Sequence, residues 1–412
     1  MTVPQPPTAI EDLEDFLAAF TNYEQQRSLP TDRRALGPAR AEALLHASRL
    51  LPVPQQVIQI AGSKGKGSTL LYVEALLQRR GARPGAYSSP HLQRINERIR
   101  VDGRDSTDDE ILNGLATLHP AILAAELAPT FFDLWTVLAT QIFKEHQLTH
   151  ALFEVGLGGP LDSTSAVPHD VGVLTTIDLE HRELLGDTHE AIATEKALIA
   201  RPGTPFVISE PTTPWGQAAA EVARDRGATP ISVQRDARIP DDLDEAWGTN
   251  LATALAVVED ALGYATFAAS DVQEVVESTR LPGRLELIRN PPLLIDCAHT
   301  PRSMEVFREA FERWRKGRPG TILCGFLGDK EWRPILELFP VDPDLAWIIT
   351  TPNATRRLDP KPVLEFLRNR YPSVLFREDP QEALSLLREA APHTAAAVTG
   401  SFHLAGLALG DW

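Results

Sequence analysis

The segment Gly62-Ser63-Lys64-Gly65-Lys66-Gly67-Ser68-Thr69 packs three glycines, two lysines and three hydroxyls into eight residues. Glycines let backbone N–H groups approach phosphate oxygens, a lysine neutralises terminal phosphates, and a hydroxyl can hold a divalent cation. The chain has only seven lysines against 33 arginines, so two in one loop are not what its composition predicts. An apolar strand-like run, Val57–Ala61, precedes the loop, and a helical stretch, Gly67–Arg80, follows it. That order puts the loop at a helix N-terminus, where the dipole favours anions. The spacing departs from the common GxxxxGK[ST] pattern, because Lys66 is followed by Gly67 and then Ser68. Lys66 is placed to reach terminal phosphates and Ser68 to hold Mg²⁺; a plain Gly/Lys-rich turn is the alternative. A second candidate is Glu154, which ends a buried-looking strand before the glycine-rich Gly156-Leu157-Gly158-Gly159. A carboxylate there can bind Mg²⁺ beside ATP phosphates; a solvent-facing or salt-bridged glutamate is the alternative.

The elements that must carry these residues alternate between short β-rich runs and helices. Strands are expected at Val57–Ala61, Ala151–Val155, Val171–Thr176, Pro205–Ser209 and Thr229–Val233. Helices are expected at Thr188–Ala200, Trp215–Arg226 and Asn250–Leu262. Leu281-Pro282-Gly283-Arg284 and Asn290-Pro291-Pro292 then punctuate the chain. Beyond them the alternation restarts with strands at Leu293–Cys297, Thr321–Gly325, Ala346–Thr350, Ser373–Phe376 and Ala395–Val398 and a helix at Pro301–Arg315. This pattern implies an α/β protein with helix-covered parallel sheets in two domains, 1–284 and 285–412, binding ligands at the C-terminal ends of strands between the domains.

The formal net charge of −16 argues against a nucleic-acid-binding protein, which needs excess Lys and Arg along a surface. Cys297 and Cys324 form no CxxC pair, as expected in a reducing compartment. The first twenty residues carry acidic residues and no basic one, unlike a secretory signal, and no apolar run reaches membrane-spanning length. A soluble, cytoplasmic, monomeric protein with no membrane or nucleic-acid partner is expected.

Residues 62–68 resemble the GTNGKGS loop of the folylpolyglutamate synthase and dihydrofolate synthase family of the Mur ligase superfamily, with Ser63 for Thr and Lys64 for Asn. The resemblance runs along most of the chain. Ser88-Ser89-Pro90-His91-Leu92 and Glu97-Arg98-Ile99 are similar to the family's SPHL…ERI segment. Phe131-Phe132-Asp133-Leu134-Trp135-Thr136 resembles its F-E-x-x-T helix start. Glu154-Val155-Gly156-Leu157-Gly158-Gly159-Pro160-Leu161-Asp162 is close to EVGLGGRLD, with Pro160 for Arg. Ile177-Asp178-Leu179-Glu180-His181, Leu185-Gly186-Asp187-Thr188 and Glu195-Lys196-Ala197 are similar to the I-x-x-D-H…LG-x-T…EKAGI block. Asn250-Leu251-Ala252-Thr253-Ala254-Leu255-Ala256 resembles the NAATALA helix, with Ala246 and Trp247 where the family has His-Gln. Pro282-Gly283-Arg284-Leu285-Glu286 matches PGR-x-E, and Asp296-Cys297-Ala298-His299-Thr300-Pro301 resembles D-G-A-H-N-P. Gly328-Asp329-Lys330 and Thr399-Gly400-Ser401 are weaker echoes.

The resemblance implies a P-loop-containing, Mur-ligase-like N-terminal domain (1–284) that binds ATP. A smaller Rossmann-like C-terminal domain (285–412) would serve glutamate ligation. It implies Lys66, Glu154, His181 and Lys196 as catalytic residues, with Lys196 carbamylated, and Ser68, Glu154 and His181 as Mg²⁺ ligands. ATP contacts would come from Gly62, Ser63, Lys64, Gly65, Lys66, Gly67, Ser68, Thr69, Asn250, Arg284, Asp296 and His299. Ser89, Pro90, His91 and Phe132 would line a folate site. The implied reaction joins L-glutamate to a folate, or to dihydropteroate, through an acyl-phosphate with release of ADP and phosphate. The alternatives are a nucleotide-binding relative that has lost ligation, as the substitutions at Lys64, Pro160, Ala246, Trp247 and Thr300 would allow, and a ligase for another acceptor.

Overall fold

A computed structural model describes residues 3–24, 37–53, 55–125, 128–328, 330–352 and 358–412. The chain divides into two compact units. The first comprises Met1–His91 and Asn96–Thr279, the second Leu92–Ile95 and Arg280–Trp412.

The first unit is built on eight strands: β1 Gln56–Ala61, β2 Pro84–Tyr87, β3 Ile99–Val101, β4 Arg104–Asp105, β5 His150–Glu154, β6 Val171–Leu174, β7 Pro205–Ile208 and β8 Thr229–Ser232. Their order is β4-β3-β2-β5-β1-β6-β7-β8. The pairs from β2 to β8 are parallel, and β3 and β4 join antiparallel at one edge. Central β1 and β5 are buried from Val57 and His150 onward, which accounts for their nearly continuous apolar reading. Their register pairs Ile60 with Glu154, so the two chains leave the sheet side by side, β1 into the glycine loop and β5 into Gly156–Gly159. Ile192, Phe206, Trp215 and Ala219 seal one region of this core under the helices His189–Ala197 and Pro214–Asp225.

The second unit has six strands: β9 Glu286–Arg289, β10 Pro292–Ile295, β11 Gly320–Cys324, β12 Leu345–Thr350, β13 Ser373–Arg377 and β14 Ala395–Thr399. The order is β13-β12-β11-β14-β10-β9, parallel except for β9. Two apolar clusters cover its faces, one around Phe307, Phe311 and Trp347, the other around Leu323, Leu384 and Leu404.

The α/β class with a larger parallel-rich sheet and a second sheet is as the alternation implies. Strands β2, β3, β4 and β9 were not anticipated. They are two to four residues long and carry Pro, Gly or charges, so neither length nor period marks them. The helical stretch beginning near Asn250 starts earlier, at Glu245, where Asp244 caps it, and ends as a π-helical turn over Ala256–Ala261. Among the described residues no helix is long and apolar enough to cross a membrane.

Candidate active site

The loop after β1 is shaped by β6. The N–H groups of Ser63 and Lys64 donate to the Thr176 carbonyl at 2.9 and 3.0 Å, and the Thr175 hydroxyl donates to the Lys64 carbonyl at 2.7 Å. Gly62 (φ 152°) lies against Thr175, where an added Cβ would come within 1.9 Å of Oγ1. Gly65 adopts φ 82° and caps the helix Lys66–Arg79; its added Cβ would meet Asn250 Oδ1 at 2.2 Å. Both positions therefore require glycine, one for space and the other for space and backbone conformation. The first helical turn contains no acidic residue, so nothing on it opposes an anion at its N-terminus.

Two ammonium groups converge on this loop. Lys66 Nζ donates to the Gly62 carbonyl at 3.0 Å, and Lys196 Nζ donates to the same oxygen at 3.0 Å. Lys196 is buried and also pairs with Glu180 Oε1 at 3.1 Å. Burial lowers the Lys196 pKa, and Lys66 lowers it further against the opposing pull of Glu180. Burial pushes the Glu180 carboxyl up, but the charges of Lys196, Lys66, Lys64 and His181 outweigh it and hold the group down at about 2.

Glu154 and Ser68 are both buried. Glu154 Oε2 accepts the Ser89 N–H at 3.2 Å and lies 3.5 Å from where a Cβ on Gly67 would sit. A cation carried by phosphates needs only a few hard oxygens from protein, and Ser68 and Glu154 offer that chemistry at the loop. Among the described residues no group of three or more His, Cys, Asp or Glu side chains is arranged to hold a metal by itself. The donors thus fit a metal that arrives with the triphosphate. His181 is exposed, on left-handed backbone (φ 46°) at the head of the short helix Arg182–Leu185.

The residues expected at a folate site lie close together. Phe132 packs over Gly156, where a Cβ would come within 2.5 Å of its ring, and its centroid is 5.7 Å from that of Tyr87. Ser89 is tied to Glu154 as described, Pro90 is exposed, and His91 Nδ1 accepts a hydrogen bond from Arg98 Nε at 2.9 Å. Asp133, next to Phe132, is fully occupied as a structural cap, accepting from Thr130, Ser163 and Arg40.

Within the second unit, Arg284 and His299 flank one ring. The Arg284 guanidinium carbon is 4.9 Å from the Phe402 centroid, and the His299 ring is 5.4 Å from it. Asp296 is buried, and its two oxygens accept the N–H groups of Leu285 (2.8 Å) and Ala298 (2.7 Å), so it ties the segment before β9 to the loop after β10. Asp329 lies outside the described residues. Glu180, Thr175 and Phe402 were not singled out from the sequence. Glu180 and Thr175 belong to the stretch 175–181 that resembles the family's I-x-x-D-H block but received no role there, because nothing in a sequence tells which residue of such a stretch turns inward.

Residues 283–402 match the family model described as Mur ligase, glutamate ligase domain. The dihydrofolate synthase/folylpolyglutamate synthase of Haemophilus influenzae is 30% identical, over 94% of this chain and 95% of that protein. Among solved structures, the E. coli FolC complex with DHPP and ADP superposes with a TM-score of 0.83 at 27% identity, over 99% of this chain and 98% of that one. A bifunctional folylpolyglutamate synthase/dihydrofolate synthase with Mn, AMPPNP and L-glutamate bound gives a TM-score of 0.82 at 26% identity, over 99% of both chains. With a full-length relative at this identity and the same fold throughout, the chain belongs to the dihydrofolate synthase/folylpolyglutamate synthase family.

Proposed function

We propose that this protein is an ATP-dependent ligase that joins L-glutamate to a folate, and also to dihydropteroate. The observation that carries the reading is the loop itself: the side-chain nitrogens of Lys66 and Lys196 meet on the Gly62 carbonyl at a helix N-terminus, beside the buried carboxylate of Glu154. The backbone N–H groups of residues 62–69 and Lys66 would bind the triphosphate. Bound Mg²⁺ supplies charge neutralisation there, with Ser68, Glu154 and His181 as the residues that would hold it. A substrate carboxylate oxygen attacks the γ-phosphorus and ADP leaves. The glutamate amine then attacks the acyl carbon, phosphate leaves, and the amine gives up a proton. Catalysis on this scheme is alignment plus electrostatic stabilisation.

Lys196 would act as its carbamate: burial favours the neutral amine, whose nitrogen adds to CO2 and loses a proton. Ser89, Pro90, His91 and Phe132 would line the folate site, and Asn250, Arg284, Asp296 and His299 would serve the nucleotide. Residues 1–284 would form the ATP-binding domain and 285–412 the glutamate ligase domain of a monomeric, cytoplasmic enzyme. ADP release by purified protein, with glutamate and either dihydropteroate or tetrahydrofolate, tests this. Release that needs both pterin and amino acid is the expected result; ATP turnover indifferent to both would leave a nucleotide-binding relative without ligase activity.

A further inference from the structure

Arg98 is a buried cation, 2% exposed, and each of its three nitrogens donates to a specific partner. Its two terminal nitrogens make a forked pair with Glu24, at 3.1 Å to Oε1 and 2.6 Å to Oε2. Its guanidinium carbon sits 5.0 Å from the centroid of Phe131, and its Nε donates to His91 Nδ1 at 2.9 Å. Arginine has donors only and keeps its charge at any working pH, so the nitrogen it meets must be a bare acceptor. An imidazolium has no bare nitrogen. His91 is therefore neutral, and a neutral ring that accepts at Nδ1 carries its proton on Nε2. Burial and the Arg98 charge both lower the His91 pKa, in keeping with that geometry.

The ring held this way belongs to the segment that starts at Tyr87, beside Phe132, and passes Ser89, tied to Glu154. Phe131, under Arg98, is the neighbour of Phe132 at the same helix start. Glu24, Arg98 and His91 thus form one relay that ends among the residues assigned above to the folate acceptor.

We propose that Arg98, anchored by Glu24, is a positioning residue that fixes His91 as an Nε2–H donor, and that His91 uses this proton to hydrogen-bond an acceptor oxygen or nitrogen of the folate-type substrate. This rests on the folate-site reading of residues 89–91 and 132. A locked tautomer is a specificity device: it offers a donor and never an acceptor, so it selects for a lone pair at that point of the substrate.

Long-range proton–nitrogen spectra of the protein labelled with ¹⁵N-histidine read the tautomer directly. His91 is expected as the neutral Nε2–H form from pH 5.5 to 8, and a ring that titrates there or carries its proton on Nδ1 overturns the proposal. Two substitutions separate the ring's two edges. H91N keeps an acceptor for Arg98 and loses the outer donor; H91Q keeps a donor near the Nε2 position. H91N is expected to raise KM for the pterin substrate at least ~10-fold with KM for ATP unchanged, and H91Q to restore most of it. Equal effects of the two, or none, overturn the donor role. Phe132→Ala distinguishes the causes of failure: if it raises the pterin KM while H91N does not, the folate site stands and the donor role falls. If neither moves it, the folate-site reading falls as well.

Discussion

Nζ of Lys196 donates to the carbonyl oxygen of Gly62 at 3.0 Å, across 134 positions of chain. The bond joins the helix His189–Ala197 to the first glycine of the loop after β1, and Glu180 holds the same nitrogen as a second partner. Lys196→Ala should therefore lose both the tether and any carbamate. Ligase activity is expected to fall at least ~100-fold, the scale of a lost electrostatic contact in a dry site. Added bicarbonate should not restore it, since no amine remains to react; recovery with bicarbonate would remove Lys196 from the scheme.

Lys66 shares that carbonyl but stands at the opening of its helix, half-buried. Its removal takes away charge at the phosphates without opening the apolar core. Lys66→Ala should abolish measurable ADP formation while the thermal midpoint stays within a few degrees of wild type. A folded variant with wild-type turnover would refute the phosphate-binding role.

Gly65 tests the fit of the loop to the helix Glu245–Leu255. Gly65→Ala places a methyl 2.2 Å from Asn250 Oδ1 and forces a φ of 82° on an L-residue, the latter costing roughly 1–2 kcal/mol. KM for ATP should rise sharply. Adding Asn250→Ala removes the clash but not the backbone strain, so the double variant should be less stable than wild type but more stable than Gly65→Ala alone. Chemical denaturation of the three proteins measures this.

His169 supplies a pH dependence away from the site. It is buried, and burial, with Arg201 adding to it, lowers its pKa to about 3. The unfolded chain, with an ordinary histidine, binds the proton more readily, so stability is full above about pH 6.5 and falls as pH drops towards 3. Between pH 7.5 and pH 5 the loss is about 2 kcal/mol. His169→Gln should flatten that part of the profile in urea unfolding; an unchanged slope would mean that His169 is already neutral when unfolded or charged when folded.

The order of elements and the strand–glycine loop–helix turn at residues 56–79 were legible in the sequence because they depend on local chemistry. Strand β1, three glycines and a helix start lie within one short stretch, and hydrophobic runs mark buried parallel strands without reference to partners. Glu154 was read as a candidate from its place between a strand and a glycine-rich turn, and Lys196, Asp296 and His299 came from the resemblance to the family. What they touch was not legible. Glu180 and His181 are adjacent, yet Glu180 pairs with buried Lys196 and His181 is exposed, because a left-handed residue at His181 turns the chain between them. Asp296 is read from its motif, but only the fold shows that it accepts the N–H groups of Ala298, two residues on, and of Leu285, on the far side of β9 and β10. Arg98 is read in the sequence only as part of the Glu97-Arg98-Ile99 match, with no role, and only the fold buries it between Glu24, Phe131 and His91. Side-chain direction and the pairing of buried charges depend on segments far apart in the chain, so the tertiary structure alone decides them.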